Sequence, residues 1–125
     1  MGMLPESIEK EKMIGRVQRE NFRKAYLAGT KMAFGTDGGV YPHGDNWRQF
    51  PIMVEWGMKP AEALRAATVT AAELLGMQTK IASVEKGFLA DIIAVEGDPL
   101  ADMRSMRNVR FVMKGGEVYR NDWKK

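Results

Sequence analysis

Between Ser7 and Gly29 the apolar positions Ile8, Met13, Ile14, Val17, Phe22, Ala25 and Tyr26 form a broad stripe among lysines, arginines and glutamates. That spacing predicts an amphipathic helix, with Ser7 suited to cap its start and Gly29 to end it. The texture then changes. Lys31-Met32-Ala33-Phe34-Gly35-Thr36-Asp37-Gly38-Gly39 is a short apolar run that ends on one carboxylate and turns on glycines. It predicts a buried strand that delivers Asp37 to its carboxyl-terminal mouth, where α/β enzymes place their chemistry. A helix, a glycine and a strand in this order make the joint of a parallel sheet.

The polar and aromatic stretch from Asp45 leads into a short helix expected over Trp47 to Trp56, closed before Gly57. The best-marked helix runs from Pro60 to Gly76, with proline in its first turn, Glu62 beside it, and Leu64, Ala67, Ala71 and Leu75 at helical spacing. Its small residues Ala61, Ala63, Ala66, Ala67, Ala71 and Ala72 let it lie close against a neighbour. Lys80 to Lys86 forms a polar connection, and Ala90 to Val95 is a β-branched run predicted to be a buried strand, stopped by Gly97-Asp98-Pro99. Val109, Phe111 and Met113 then alternate with Arg110, Val112 and Lys114 ahead of Gly115-Gly116 and Glu117-Val118-Tyr119. Two glycines between such strands predict a hairpin, because a type I′ turn needs positive φ at both central residues.

A length of 125 residues, 45% of them hydrophobic and 28% charged, fits one globular domain able to bury a core. The chain has no cysteine, which removes disulfide scaffolds and thiolate metal sites and points to a cytoplasmic protein. No apolar run approaches the roughly 20 residues of a membrane helix. A net charge of +3 and a pI near 9.3 raise the question of a polyanion partner. The cations, however, are interleaved with acids, as in Glu9-Lys10-Glu11-Lys12, so a solvated face is the better reading and no nucleic-acid or membrane partner is expected.

Candidate chemistry gathers after the first apolar run. Asp37 is either a functional acid or a turn residue ahead of glycine, and His43, the single histidine, is either a ligand-contacting group or a loop residue. Thr36 either supports the aspartate by hydrogen bonding or merely suits a strand end. Tyr41, Trp47 and Trp56 either line a pocket or belong to the core, and Met58 and Met77 read as packing. Neither glycine pair has the spacing, helix and lysine of a phosphate loop.

Phe34-Gly35-Thr36-Asp37, His43-Gly44, Gly57 to Leu64, Ala67-Thr68, Ala71 to Gly76, Gly87 to Ile93, Gly97 to Leu100 and Val112 to Gly116, in that order, resemble the carboxyl-terminal part of a metal-dependent amidohydrolase. The imidazolonepropionase and Xaa-Pro dipeptidase-like branch is the nearest in pattern. The resemblance runs from about Met13 to Tyr119. It implies an α/β fold made of the last β/α units of a TIM (β/α)8 barrel over residues 1–76. Residues 77–125 would then supply carboxyl-terminal strands of a small composite β-sandwich. Lys31 to Asp37 would be the eighth barrel strand. Asp37 matches the family's aspartate that ligates a divalent metal, here zinc by expectation, and exchanges a proton with the hydrolytic water. His43 and Tyr41 would contact the substrate at the pocket rim.

The other family ligands, a His-x-His pair, a carboxylated lysine or equivalent acid, and the histidines of the middle strands, have no counterpart in the sequence. A hydrolytic zinc takes about three protein ligands, so the chain is expected to be about the last third of an enzyme and inactive alone. In the complete enzyme the substrate would be a small amide, either a dipeptide or a cyclic amide. The competing expectation is a non-catalytic barrel fragment that acts as a homo-oligomer or interaction protein, its sheet edges and apolar helix faces covered by another copy or by a complementing barrel fragment.

Overall fold

The computed structural model describes residues 5–39 and 42–123, the side chains of residues 5–8 and 11 excepted. The chain divides into two compact units, Met1–Lys31 and Met32–Lys125. The first carries one long helix, α1 (Pro5–Leu27), which starts ahead of Ser7, a residue whose side chain lies outside the described set. It ends where expected. Gly29 N–H donates to Tyr26 O at 3.0 Å and Thr30 N–H to Ala25 O at 3.1 Å, the paired bonds of a Schellman stop. Met13, Ile14 and Val17 of the predicted stripe are exposed, Met13 at 60%.

The second unit opens on residues 32–39, which form neither helix nor strand. This corrects the expectation of a strand from Lys31 to Asp37. A parallel strand exists only through ladder bonds to its neighbours, and the bond this run makes from Phe34 N–H goes instead to Ala66 O of a helix, at 2.9 Å. The helix expected over Trp47–Trp56 is found in two parts, a 3-10 helix at His43–Arg48 running directly into α2 (Gln49–Glu55). The long helix expected to Gly76 is also divided, into α3 (Pro60–Ala67) and α4 (Val69–Leu74). The break is Thr68, at φ −124° and ψ −90°. Its hydroxyl donates to Leu64 O at 2.7 Å, the back-bonding that bends helices.

Buried apolar residues come from these helices and their connections: Phe50 and Met53 on α2, Met58 after it, Ala63 and Ala66 on α3, Ala72 on α4, and Met103 and Met106 on a second 3-10 helix at Met103–Arg107. Of the six alanines expected to pack closely, Ala63, Ala66 and Ala72 are buried, Ala67 and Ala71 are half-buried and Ala61 is exposed. Half of this core is methionine, whose flexible thioether fills irregular gaps between short, non-ideal helices. Met58 packs as expected, while Met77, Trp47 and Trp56 are half-buried.

β1 (Ile92–Val95), β2 (Val109–Lys114) and β3 (Glu117–Asn121) form an antiparallel sheet in the order β1-β2-β3. The predicted hairpin joins β2 to β3, with Gly115 and Gly116 at φ +57° and +85°, the paired positive angles of a type I′ turn. β1 is shorter and less buried than expected, with Ile93 at 53% exposure. The reason is positional: β1 is an edge strand paired only with β2, and none of the buried core residues belongs to the sheet.

The hairpin is tied back to the start of β1 through Asp91. Its carboxylate accepts Gly115 N–H at 2.7 Å and lies 3.4 Å from Lys114 Nζ, while Gly116 N–H donates to Ala90 O at 3.1 Å. The Gly115 amide first, and then the Lys114 cation, hold this carboxyl below the ordinary aspartate value of 3.8. A carboxyl depressed in the folded state stabilises above its unfolded pKa, and that contribution is lost as pH falls through the folded value. Asp91→Asn is therefore expected to flatten the decline of the urea midpoint below about pH 4. An unchanged decline in the variant would exclude Asp91 as its source.

Candidate functional site

The acid-bearing segment is anchored to the helices next to it. Phe34 stacks on Phe50 of α2 with ring centroids 4.5 Å apart and an interplanar angle of 27°. Thr36 Oγ1 donates to Asn46 Oδ1 of the first 3-10 helix at 2.9 Å. That helix follows Pro42, whose extended φ and ψ of −59° and 131° turn the chain into it, and Asp45 N–H donates to Pro42 O at 2.9 Å. Arg48 in its last turn reaches back to Asp45, Nε to Oδ1 at 3.3 Å, and its guanidinium lies 5.5 Å from the Trp47 ring centroid. Thr36, Asp45, Arg48, Gln49 and Ile52 line an open cleft of about 440 Å³.

Asp37 follows Thr36 directly. It is exposed, with φ +47°, and its carbonyl accepts Gly39 N–H at 2.9 Å. His43 is exposed at the first position of the 3-10 helix. Tyr41 lies outside the described residues. The Thr36–Asn46 bond therefore links the segment carrying Asp37 to the helix that begins at His43. The Thr36 hydroxyl is directed to Asn46, a partner that neither reading of Thr36 named. Asn46 carried no signal of its own in the sequence beyond membership of the polar and aromatic stretch after His43.

Among the described residues no three His, Cys, Asp or Glu side chains gather to hold a metal ion. A hydrolytic zinc centre takes about three protein ligands and keeps one position open. One exposed carboxylate does not meet that requirement, so the described residues alone do not form such a centre.

A second cleft, of about 470 Å³, lies beside Glu96, Asp98, Asp102 and Arg104. Its carboxylates are engaged in local structure. Asp98 Oδ1 accepts Leu100 N–H at 2.8 Å, Asp102 Oδ1 accepts Arg104 N–H at 3.0 Å, and Glu96 Oε2 accepts from Arg110 Nε at 2.9 Å. The Arg104 guanidinium holds the Asp102 carboxyl below the usual carboxylate range. These acids cap turns and pair with arginine, and the cleft lined by Thr36 is the one that adjoins the sequence-predicted acid Asp37.

A profile described as "Amidohydrolase family" matches residues 1–119. The chain is similar to ochratoxinase of Aspergillus niger, 32% identical over 124 residues, covering 95% of this chain and 25% of that protein. It is similar to imidazolonepropionase of Geobacillus kaustophilus (strain HTA426), 30% identical over 110 residues, covering 82% of this chain and 26% of that protein. Among solved structures it resembles a Xaa-Pro dipeptidase with bound methionine in the active site, with a TM-score of 0.80 and 48% identity. That match covers 82% of this chain and 25% of the other. The chain thus spans about a quarter of the length of the curated relatives it matches.

Proposed function

The chain belongs to the amidohydrolase family, and from that premise we propose that it serves in a metal-dependent hydrolase that cleaves an amide bond of a small molecule, a dipeptide or a cyclic amide. The observation that carries this reading is the family match across residues 1–119, with the motif ending in Asp37 beside an open cleft. Amidohydrolase family enzymes generally use divalent metals. The described residues do not by themselves complete a metal centre.

In this proposal Asp37 is the chemical residue: a carboxylate able to take a proton from the attacking water and return it to the leaving amine. It is one ligand of a divalent cation, zinc by preference, when further ligands come from a complementing barrel segment. His43 contacts the substrate, and the same role is proposed for Tyr41, which lies outside the described residues. Residues 1–76 belong to the barrel part and 77–125 to the small sandwich. The reading is supported by the chain's spanning about a quarter of the length of the curated relatives it matches.

A second reading, a non-catalytic protein that self-associates, is favoured by the exposure of Met13, Val17 and Leu27 on α1 and of Leu74, Leu75 and Val84 in the second unit. One experiment separates the two. Amine release from a dipeptide is measured for the chain alone and mixed with a barrel segment carrying the remaining strands, with a divalent metal present. Hydrolysis confined to the mixture and abolished by a chelator is the expected result. Failure of the mixture to hydrolyse, with the chain sedimenting as an oligomer by itself, would favour the second reading and overturn the first.

A further inference from the structure

Resting on the assignment of Asp37 as the reactive acid, we propose that Asn46 is a positioning residue for it, acting through the hydroxyl of Thr36. Residues 32–39 have no ladder or helix to hold them, so the direction of Asp37 depends on individual anchors. Two of these act at Phe34: its N–H on Ala66 O, and its ring on Phe50. Gly35 then intervenes, a residue with the widest backbone freedom. The Thr36–Asn46 bond lies beyond it and immediately before the acid.

The anchor on the Asn46 side is firm. Asn46 lies within the 3-10 helix that continues without a break into α2, whose Phe50 and Met53 are in the core. Asp37 itself holds φ +47°, a region that aspartate tolerates. A bond from the preceding side chain to a core-anchored helix fixes where that turn sits. It also keeps Thr36 on the cleft wall that it shares with Asp45 and Arg48, so the acid is presented beside that cleft.

The test uses the full chain. Amide hydrogen exchange is read at Gly39, whose N–H donates to Asp37 O, with Ala72, whose N–H donates to Thr68 O, as the core control. Asn46→Ala and Thr36→Val are each expected to speed exchange at Gly39 about fivefold, the change corresponding to one net hydrogen bond. The double variant should do no more than either alone, and Thr36→Ser, which keeps the hydroxyl, should stay near the wild type. Ala72 should be unaffected in all of them.

In the complemented enzyme the same single variants should lower kcat by a similar factor with KM unchanged. Unchanged exchange at Gly39, additive losses in the double variant, or an unchanged kcat in an active assembly would each overturn the proposal. The exchange result needs no hydrolysis. An inactive wild-type assembly would therefore sink the hydrolase reading, and with it the assignment of Asp37, while Gly39 exchange would still decide whether the tether exists.

Discussion

Asp37→Asn is expected to reduce hydrolysis by the complemented assembly about a thousandfold or more, the upper part of the range for losing a positioned general acid–base group. The substitution removes charge and proton affinity and weakens the proposed metal ligand, with little change of shape. Asparagine matches aspartate in shape and tolerates the left-handed region equally well, so φ +47° adds no penalty. The Gly39 N–H bond to the Asp37 carbonyl is a backbone contact and survives. The side chain is exposed, so the unfolding midpoint should stay where it is, since surface substitutions away from special features change stability by about 0.5 kcal/mol or less. Loss of activity without loss of stability would separate chemistry from folding. Equal turnover in the variant would mean that another group carries the proton.

The second large effect is on stability. Met53→Ala is expected to cost about 2–5 kcal/mol, the range for truncating a buried methionine. For a unit of this size that lowers the thermal midpoint by about 10 °C or more. Met53 is 4% exposed on α2, which packs against both α3 and the second 3-10 helix. Ala63 and Ala66 on α3 and Met103 and Met106 on the 3-10 helix belong to the same core, so the cavity opens where short elements depend on one another for burial. Val84→Ala provides the control: at 84% exposure it should change the midpoint little. Calorimetry that finds the two variants alike would show that the methionine cluster is not the core.

How far these features were legible in the sequence follows from which forces set them. The hairpin at Gly115-Gly116 and the helix end at Gly29 depend on backbone chemistry within a few residues, and both are found where expected. The break at Thr68 was hidden because Ala63 and Ala66 before it and Ala72 after it are all buried, so the apolar pattern runs on across a hydroxyl that bends the helix. The run ending at Asp37 has the composition of a strand, but a strand also requires partners, and composition is silent on them. Asn46 was invisible for a related reason. Its bond to Thr36 spans ten positions, and no local periodicity marks such a contact. As for the site, the sequence singled out Asp37 and His43, and the structure adds that Thr36 and Asn46 link their two segments.

A crystal structure of the complemented assembly grown with zinc bears most directly on the role of Asp37. A carboxylate oxygen of Asp37 is expected about 2.0–2.2 Å from the metal, beside ligands contributed by the complementing segment. A fully ligated metal with the Asp37 side chain turned to solvent, or no metal bound beside this acid, would contradict the account.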